Sequence, residues 1–346
     1  MKVLVTGHKG YIGAVMVPAL VDAGHEVTGL DSDLYSGCDF AAGGSLTDIP
    51  ELECDLRDVL PDALRGFDAV VHLAALSNDP VGDLAPAHTY AINLDASVRL
   101  ARLAKEVGVR RFLYSSSCSI YGAAGDTVLD ETAGFNPVTS YGESKIGVEQ
   151  AVRELADGSF APTYMRNATA YGVSARLRMD LVLNDLVACA VEDREILIKS
   201  DGTPWRPLVH IRDICAAFVA VLDAPTEAVV NRAFNVGRTD QNFQVRELAE
   251  MVRQAVSGSS ITYAEGGGPD KRSYRVNFDL LRSTLPAFQP TWTVQRGIDE
   301  LADAFSRSTT PVRGNSRYVR LQTIKSRLAD ESLDESLRPV AAPVVV

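Results

Sequence analysis

A chain of 346 residues, 46% of them hydrophobic, has apolar material for one large domain or two intimate ones, which excludes a disordered polypeptide. Lys plus Arg number 34 against 45 Asp plus Glu, and the net charge of −11 argues against a nucleic-acid surface, although a pocket for one anion needs only a few local cations. Five cysteines without CxxC or metal-ligand spacing read as reduced thiols of a cytoplasmic protein with no metal site.

The chain opens on a strand, "KVLVT" (Lys2 to Thr6), that runs into "TGHKGYIG" and then a helical stretch through Gly24. The apolar run Tyr11 to Val21 contains Pro18 and is too short to span a bilayer, so neither a leader nor a membrane segment is expected. Gly7 allows a tight turn, Gly10 lets a pyrophosphate approach the backbone, and Gly13 lets the helix press on the sheet. Tyr11 and Ile12 complete the loop, and the helix N-terminus faces the phosphates of a dinucleotide.

A second strand, "EVTGLD", ends at Asp31. A carboxylate there accepts hydrogen bonds from both adenosine ribose hydroxyls and repels a 2′-phosphate, which favours NAD, while Lys9 in the loop keeps NADP open. After the third strand, "CDLRD" offers Asp55 as acceptor for the adenine amino group and Leu56 as an apolar wall.

"AVVHLA" (Ala69 to Ala74) and "RRFLYSS" read as further strands, with helical "DASVRLARLAKEVG" between them. Strands alternating with helices imply right-handed βαβ units, hence a doubly wound α/β fold with a parallel Rossmann sheet. The stretch "YSSSCSIYG" gathers small polar residues at a strand end, where such sheets hold ligands. In "YGESK", Tyr141 and Lys145 stand four apart on one helix face, so the lysine can lower the phenol pKa from about 10. With a serine on the same substrate oxygen, this set can move a proton while a nicotinamide moves a hydride.

"VTSYGESKIGVEQAVRELA" reads as a long helix, "PTYMRNA" as another strand, "MDLVLNDLVACAVED" as helix, and "EILIKS" and "AFNVG" as short strands. The expected organisation is a dinucleotide-binding domain over 1–172 and a smaller C-terminal α/β substrate lobe over 173–310, with chain crossing back to the first. A tail follows over 311–346, its helix within "RYVRLQTIKSRLADESLDESLR" packing on a partner or on the body.

The ordered set of glycine turn, Asp31, Asp55, "HLAA" at His72 to Ala75, Asn93, serine strand, Tyr141 and Lys145 resembles the extended short-chain dehydrogenase/reductase superfamily. Within it, the chain is similar to nucleotide-sugar epimerases and dehydratases typified by UDP-galactose 4-epimerase, over roughly Met1 to Asp303. The resemblance implies Tyr141 as catalytic acid/base, Lys145 on the nicotinamide ribose and tuning the tyrosine, and Ser117 polarising the reacting oxygen. Leu73, Ala74 and Ala75 then line the cofactor, and Asn93 supports the site beside it.

Dehydratases of this kind carry an acidic pair after the catalytic Ser/Thr, where this chain has Cys118 and Ser119, so dehydration is disfavoured, as is the glutamate pattern of related decarboxylases. Cys118 reads either as a packing residue or as an acid/base thiol. For the substrate, the resemblance places Arg206 of "DGTPWRPLVHIRDI" on a diphosphate. Thr169 in "RNATAYG" replaces a usual asparagine, with Asn167 on the same strand face, and Arg272 of "GGGPDKRSYRV" stands slightly after the usual arginine position. Asn184 is placed on the base or sugar, and Ser77, Cys118 and Ser119 near the sugar.

The expectation is an NAD-dependent nucleotide-sugar epimerase acting through a transient keto sugar. The alternatives are an NAD(P)-dependent 4-ketoreductase or dehydrogenase of a sugar or related polyol, and a non-catalytic NAD(P)-sensing protein, which would be expected to lose the tyrosine or lysine. Helices at Asp83 to Val107 and Pro137 to Leu155 resemble those that pair between subunits in the family, which implies a homodimer.

Overall fold

The first strand, β1 (Lys2–Thr6), shows how the core is divided in the computed structural model, which describes residues 1–77, 86–265 and 272–340. Val3 and Val5 pack on one face of the sheet with Met16, Val17 and Leu20 of helix α1 (Gly13–Asp22), whereas Leu4 joins a separate cluster on the other face. Alternation along a strand makes a wholly apolar run bury both of its sides.

Six more strands, β2 (Glu26–Asp31), β3 (Glu51–Glu53), β4 (Ala69–His72), β5 (Arg111–Ser117), β6 (Ala161–Asn167) and β7 (Arg232–Val236), join it in one parallel sheet. Their order is β3-β2-β1-β4-β5-β6-β7, the doubly wound α/β arrangement expected from the sequence. The order changes direction between β1 and β4, and a crevice opens there beyond the carboxyl ends.

Helices α2 (Ala96–Glu106) and α3 (Ser140–Arg153) cover the Leu4 face, while α1 and α4 (Ile211–Asp223) cover the other. Of the helix expected over 83–107, residues 83–85 lie outside the described residues; Pro86–Thr89 makes one turn, and Tyr90–Asp95 widens into a π-turn before α2. Thr139 starts α3 by accepting the Gly142 N–H at 3.2 Å, which sets the register of the residues that follow.

The second lobe holds a three-stranded sheet of Thr169–Tyr171, Trp205–His210 and Asn242–Gln244. Its core joins Leu183 and Leu186 to Leu248, Ile298 and Leu301, which come from three different helices. The helix expected over 179–193 begins at Val182 and runs on from Val182–Ala188 into a π-turn at Cys189–Asp193, ended by Arg194 with φ +59°. The lobes are interlaced, because α4 and β7 return to the first after the chain has visited the second, and Ala123–Leu129 pairs with Ser273–Val276. The tail helix, Arg320–Ala329, packs on the body.

His72 at the end of β4 is fully buried, its Nδ1 2.6 Å from the Thr6 hydroxyl and its Nε2 2.8 Å from that of Ser97. Burial, aided by the charge of Lys145, pushes its pKa down to about 3. Between that value and about 6.5 the unfolded chain binds the proton and the folded chain does not, so this group makes stability fall as pH falls, by roughly 1.4 kcal/mol per unit. Urea midpoints from pH 7 to pH 4 should therefore drop less steeply for His72→Gln than for the unsubstituted protein; equal slopes would contradict a buried neutral imidazole.

Candidate active site

The glycine turn lies flat against the end of β4. Gly7 has φ +75°, and a Cβ there would stand 2.7 Å from the backbone nitrogen of Ala74. A Cβ on Gly13 would come within 2.2 Å of the Gly7 carbonyl oxygen. Helix α1 begins with no side-chain cap and no acidic residue in its first turn, and Gly7, Gly10, Tyr11, Ile12 and Gly13 line one cleft at its positive end. Uncapped N–H groups at a cradle without side chains suit a pyrophosphate.

At the end of β2, the Asp31 carboxylate accepts the backbone N–H groups of Lys9 and Asp33, each at 2.9 Å. Burial pushes its pKa up, against the pull of those two donors and of His8. Lys9 is already engaged, its Nζ 3.0 Å from Glu51 and 3.9 Å from Asp33. A 2′-phosphate would have to break those ion pairs while facing Asp31, so the corner favours a free 2′-hydroxyl. Asp31→Ala should weaken NAD by tenfold or more, from the loss of charge-assisted hydrogen bonds of roughly 1.5–3 kcal/mol each, and weaken NADP less. Calorimetric titration with both dinucleotides gives the ratio of affinities, and an unchanged ratio would remove Asp31 as the discriminating group.

Asp55 and Leu56 line the far end of the cleft. Burial raises the Asp55 pKa, but Arg57 outweighs this through its backbone N–H (2.8 Å) and guanidinium (Nε 2.9 Å, Nη2 2.6 Å) and holds it below the usual range. Leu73, Ala74 and Ala75 form the wall next to the glycine turn.

The serines that end β5 divide their work. Ser115 Oγ receives the Asn167 amide at 3.0 Å, and its carbonyl receives Lys145 Nζ at 2.7 Å. Ser116 donates to Glu149 at 2.5 Å, which places it in a buried network with Arg166. Ser117 accepts the Ser119 N–H at 3.1 Å and lines the cleft. Ser119 Oγ and Asn167 Oδ1 also belong to cleft-lining residues, and both are buried without a partner among the described residues. Two such atoms on cleft-lining residues suit hydrogen bonds to a polar ligand group.

Lys145 follows Tyr141 by one turn of α3, its Nζ 5.5 Å from the centre of the Tyr141 ring and 4.7 Å from that of Tyr114. Full burial lowers its pKa to about 7. Tyr141, Lys145 and Ser117 share the cleft with the glycine turn. Ser77, Asn167, Thr169, Arg206 and Arg272 line the same cleft, with Arg206 Nη1 donating to the carbonyls of Trp205 (2.8 Å) and Arg272.

Three residues expected to touch ligand do not line the cleft. Cys118 is fully buried on the far side of the turn, donates Sγ–H to the Arg166 carbonyl at 3.1 Å, and has its thiol pKa pushed well up by burial, so it packs. Asn93 spends its amide on both backbone groups of Leu76, at 2.8 and 3.0 Å, and pins the loop after β4. Asn184 accepts the Gly172 N–H at 3.2 Å and donates to the Arg178 carbonyl at 2.9 Å, which fixes the entry to the second lobe. A buried amide satisfied by backbone is a positioning group.

Further residues line the cleft that no sequence motif marks. Arg178 donates to Ser77 Oγ at 3.1 Å and is gripped by Asp180 at 2.9 and 3.0 Å, and Tyr35, Arg320 and Leu337 line the cleft near the first lobe. No local motif announces them, since Arg320 and Leu337 arrive from the tail.

Comparison with known proteins agrees with this geometry. The UDP-glucose 4-epimerase of Corynebacterium glutamicum is 30% identical over 281 residues, covering 75% of this chain and 82% of its own. That of Homo sapiens is 29% identical over 336 residues, covering 87% and 94%. Among solved structures, MoeE5 in complex with UDP-glucuronic acid and NAD is similar with a TM-score of 0.77 at 25% identity, over 89% of this chain and 99% of its own. The fold alone is shared with DesIV, a dTDP-glucose 4,6-dehydratase from Streptomyces venezuelae, at TM-score 0.77 and 22% identity over 93% and 100%. The model of the NAD dependent epimerase/dehydratase family matches residues 3–237, from within β1 to one residue past β7. Since that match takes in nearly all of the main sheet and most of the cleft at its carboxyl edge, the chain belongs to the NAD dependent epimerase/dehydratase family and is an NAD-dependent enzyme.

Proposed function

We propose that the protein is a nucleotide-sugar epimerase that works through a transient keto sugar, with Tyr141 as the acid/base. The observation that carries this reading is the convergence of Tyr141, Lys145 and Ser117 on one cleft whose strand-end turn presents hydroxyls and no carboxylate. Asp180, an acid elsewhere in the cleft, accepts from Arg178 Nε and Nη2. The names of the relatives, 4-epimerases on a UDP-sugar, support the same choice.

When bound, NAD supplies a hydride acceptor and donor. Tyr141 Oη takes the proton from a sugar hydroxyl as it becomes a carbonyl, and returns it when the hydroxyl re-forms. The Lys145 ammonium, fixed by the Ser115 carbonyl, favours the phenolate form of its neighbour. Ser117 and the unpartnered Ser119 hydroxyl donate to the developing oxyanion. Arg206 and Arg272 hold a diphosphate, so that the keto sugar can turn its other face to the cofactor without leaving. Asn167, Thr169 and Ser77 bind sugar hydroxyls. Asp31, Asp55 and Leu56 take the adenosine end.

Helices α2 and α3 fit a subunit interface, and sedimentation at micromolar concentration tests the homodimer. Five free thiols suit a reducing cytoplasm. The deciding experiment denatures the purified protein, identifies the released cofactor by mass, and follows near-ultraviolet absorbance with UDP-, GDP-, CDP- and dTDP-sugars. Retained NAD with isomerised product and no net NADH is the expected result. A stoichiometric absorbance change would make the protein a 4-ketoreductase or dehydrogenase, and cofactor binding without turnover of any sugar or polyol would make it a sensor.

A further inference from the structure

We infer that the turn at residues 334–338 is a built part of the dinucleotide cleft, placed there by the tail so that cofactor is kept through many turnovers; this rests on the cleft being the NAD site. The tail crosses from the second lobe to the first along a series of anchors. Tyr318 is buried edge-on against Phe40, ring centres 5.8 Å apart. Arg320 donates to the Arg176 carbonyl at 3.0 Å, and its guanidinium lies 4.2 Å from the centre of the Tyr35 ring. Arg327 donates to the Leu34 carbonyl at 2.8 Å, just beyond Asp31. The last anchors grip the turn itself. Arg57 donates to the Ser336 carbonyl at 2.8 Å, and Arg338 pairs with Asp58, Nη2 to Oδ1 at 3.1 Å.

Leu337, between those two anchors, has φ +61°, a left-handed conformation that a leucine adopts rarely. Asp334 imposes it, its carboxylate accepting the N–H groups of Ser336 (2.8 Å) and Arg338 (2.9 Å) and its carbonyl that of Leu337 (2.9 Å). A glycine would fit this backbone without strain. The leucine there is only 6% exposed, is buried with Leu76 and Ile324, and lines the same cleft as Asp55, Leu56 and Tyr35. Strain held at a cleft wall by surrounding hydrogen bonds marks a site of use. Leu337 adds a second apolar side chain to Leu56 at the adenine end, and the Arg57 and Arg338 anchors hold it there. Contacts of this kind act mainly on dissociation. Slow release suits an enzyme that returns its hydride to the same sugar, and would hinder one that exchanges cofactor each cycle.

The test loads the unsubstituted protein, Leu337→Gly and Arg338→Ala with NAD, chases each with excess ADP-ribose, and measures by mass the NAD still bound after rapid gel filtration. The half-time of NAD loss should shorten tenfold or more for Leu337→Gly and several-fold for Arg338→Ala. The Tm of cofactor-free Leu337→Gly should stay near that of the unsubstituted chain, because glycine relieves the left-handed strain as the leucine contacts are lost. Release at the original rate from both variants would overturn the role of the turn and leave the NAD site standing. Failure of the unsubstituted protein to bind NAD at all would overturn both.

Discussion

Tyr141→Phe should lower turnover by about 10²–10⁴-fold, the span contributed by a positioned acid/base, while NAD stays bound. The substitution removes one oxygen and leaves the surrounding structure in place. The cap of α3 comes from Thr139, and Lys145 remains fixed by the Ser115 carbonyl. Single-turnover assays on protein whose bound NAD has been counted separate the two effects. A variant that epimerises at the original rate would remove Tyr141 as the acid/base, and one that loses NAD would show the ring to be a cofactor contact instead.

The largest effect on stability should come from Glu149→Ala, a loss of about 3–5 kcal/mol, because it strands a buried cation. Glu149 is 1% exposed and Arg166 3% exposed, and the carboxylate receives Arg166 Nε at 3.1 Å, Arg166 Nη2 at 2.7 Å and the Ser116 hydroxyl at 2.5 Å. Arg166 also donates to Tyr121 Oη at 3.1 Å, which in turn donates to Asn235 at 2.8 Å. The network therefore joins α3, β5, β6 and β7 beneath the active site. Urea titration should show the loss for Glu149→Ala and a similar loss for Arg166→Ala, whereas paired replacement by Leu and Met should recover much of it. If the single variants unfold at the original midpoint, the pair contributes nothing to stability.

This network also shows where sequence reading stops. The glycine turn was legible because much of its constraint is local: Gly7 needs a positive φ, and Gly13 meets the backbone of Gly7 and His8 in its own loop. Strand β1 was legible from its apolar run, and β2 and β5 from apolar cores that end in polar residues at the cleft. The serines were legible only as a group, since the task of Ser116 depends on Glu149, 33 residues away, and the direction of Cys118 depends on the 3-10 turn that follows β5. Asn93 and Asn184 were placed near the right loops, but their amides serve backbone groups that no spacing rule names. Leu337 lay beyond reach, because the anchors of its turn, Arg57 and Asp58, stand 279 and 280 positions from their tail partners.

The return of β7 to the sheet bears on how the protein is made. On the ribosome, β6 emerges with β5 already beside it, yet its outer edge has no neighbour until Arg232–Val236 has been synthesised, several seconds later at ordinary rates. For that interval the nascent chain carries a buried-type strand with a row of open backbone groups, the kind of edge to which another chain can pair. Slowing synthesis between residues 168 and 231 should lengthen the exposure and lower soluble yield, and a chaperone that shields strand edges should help most in that window.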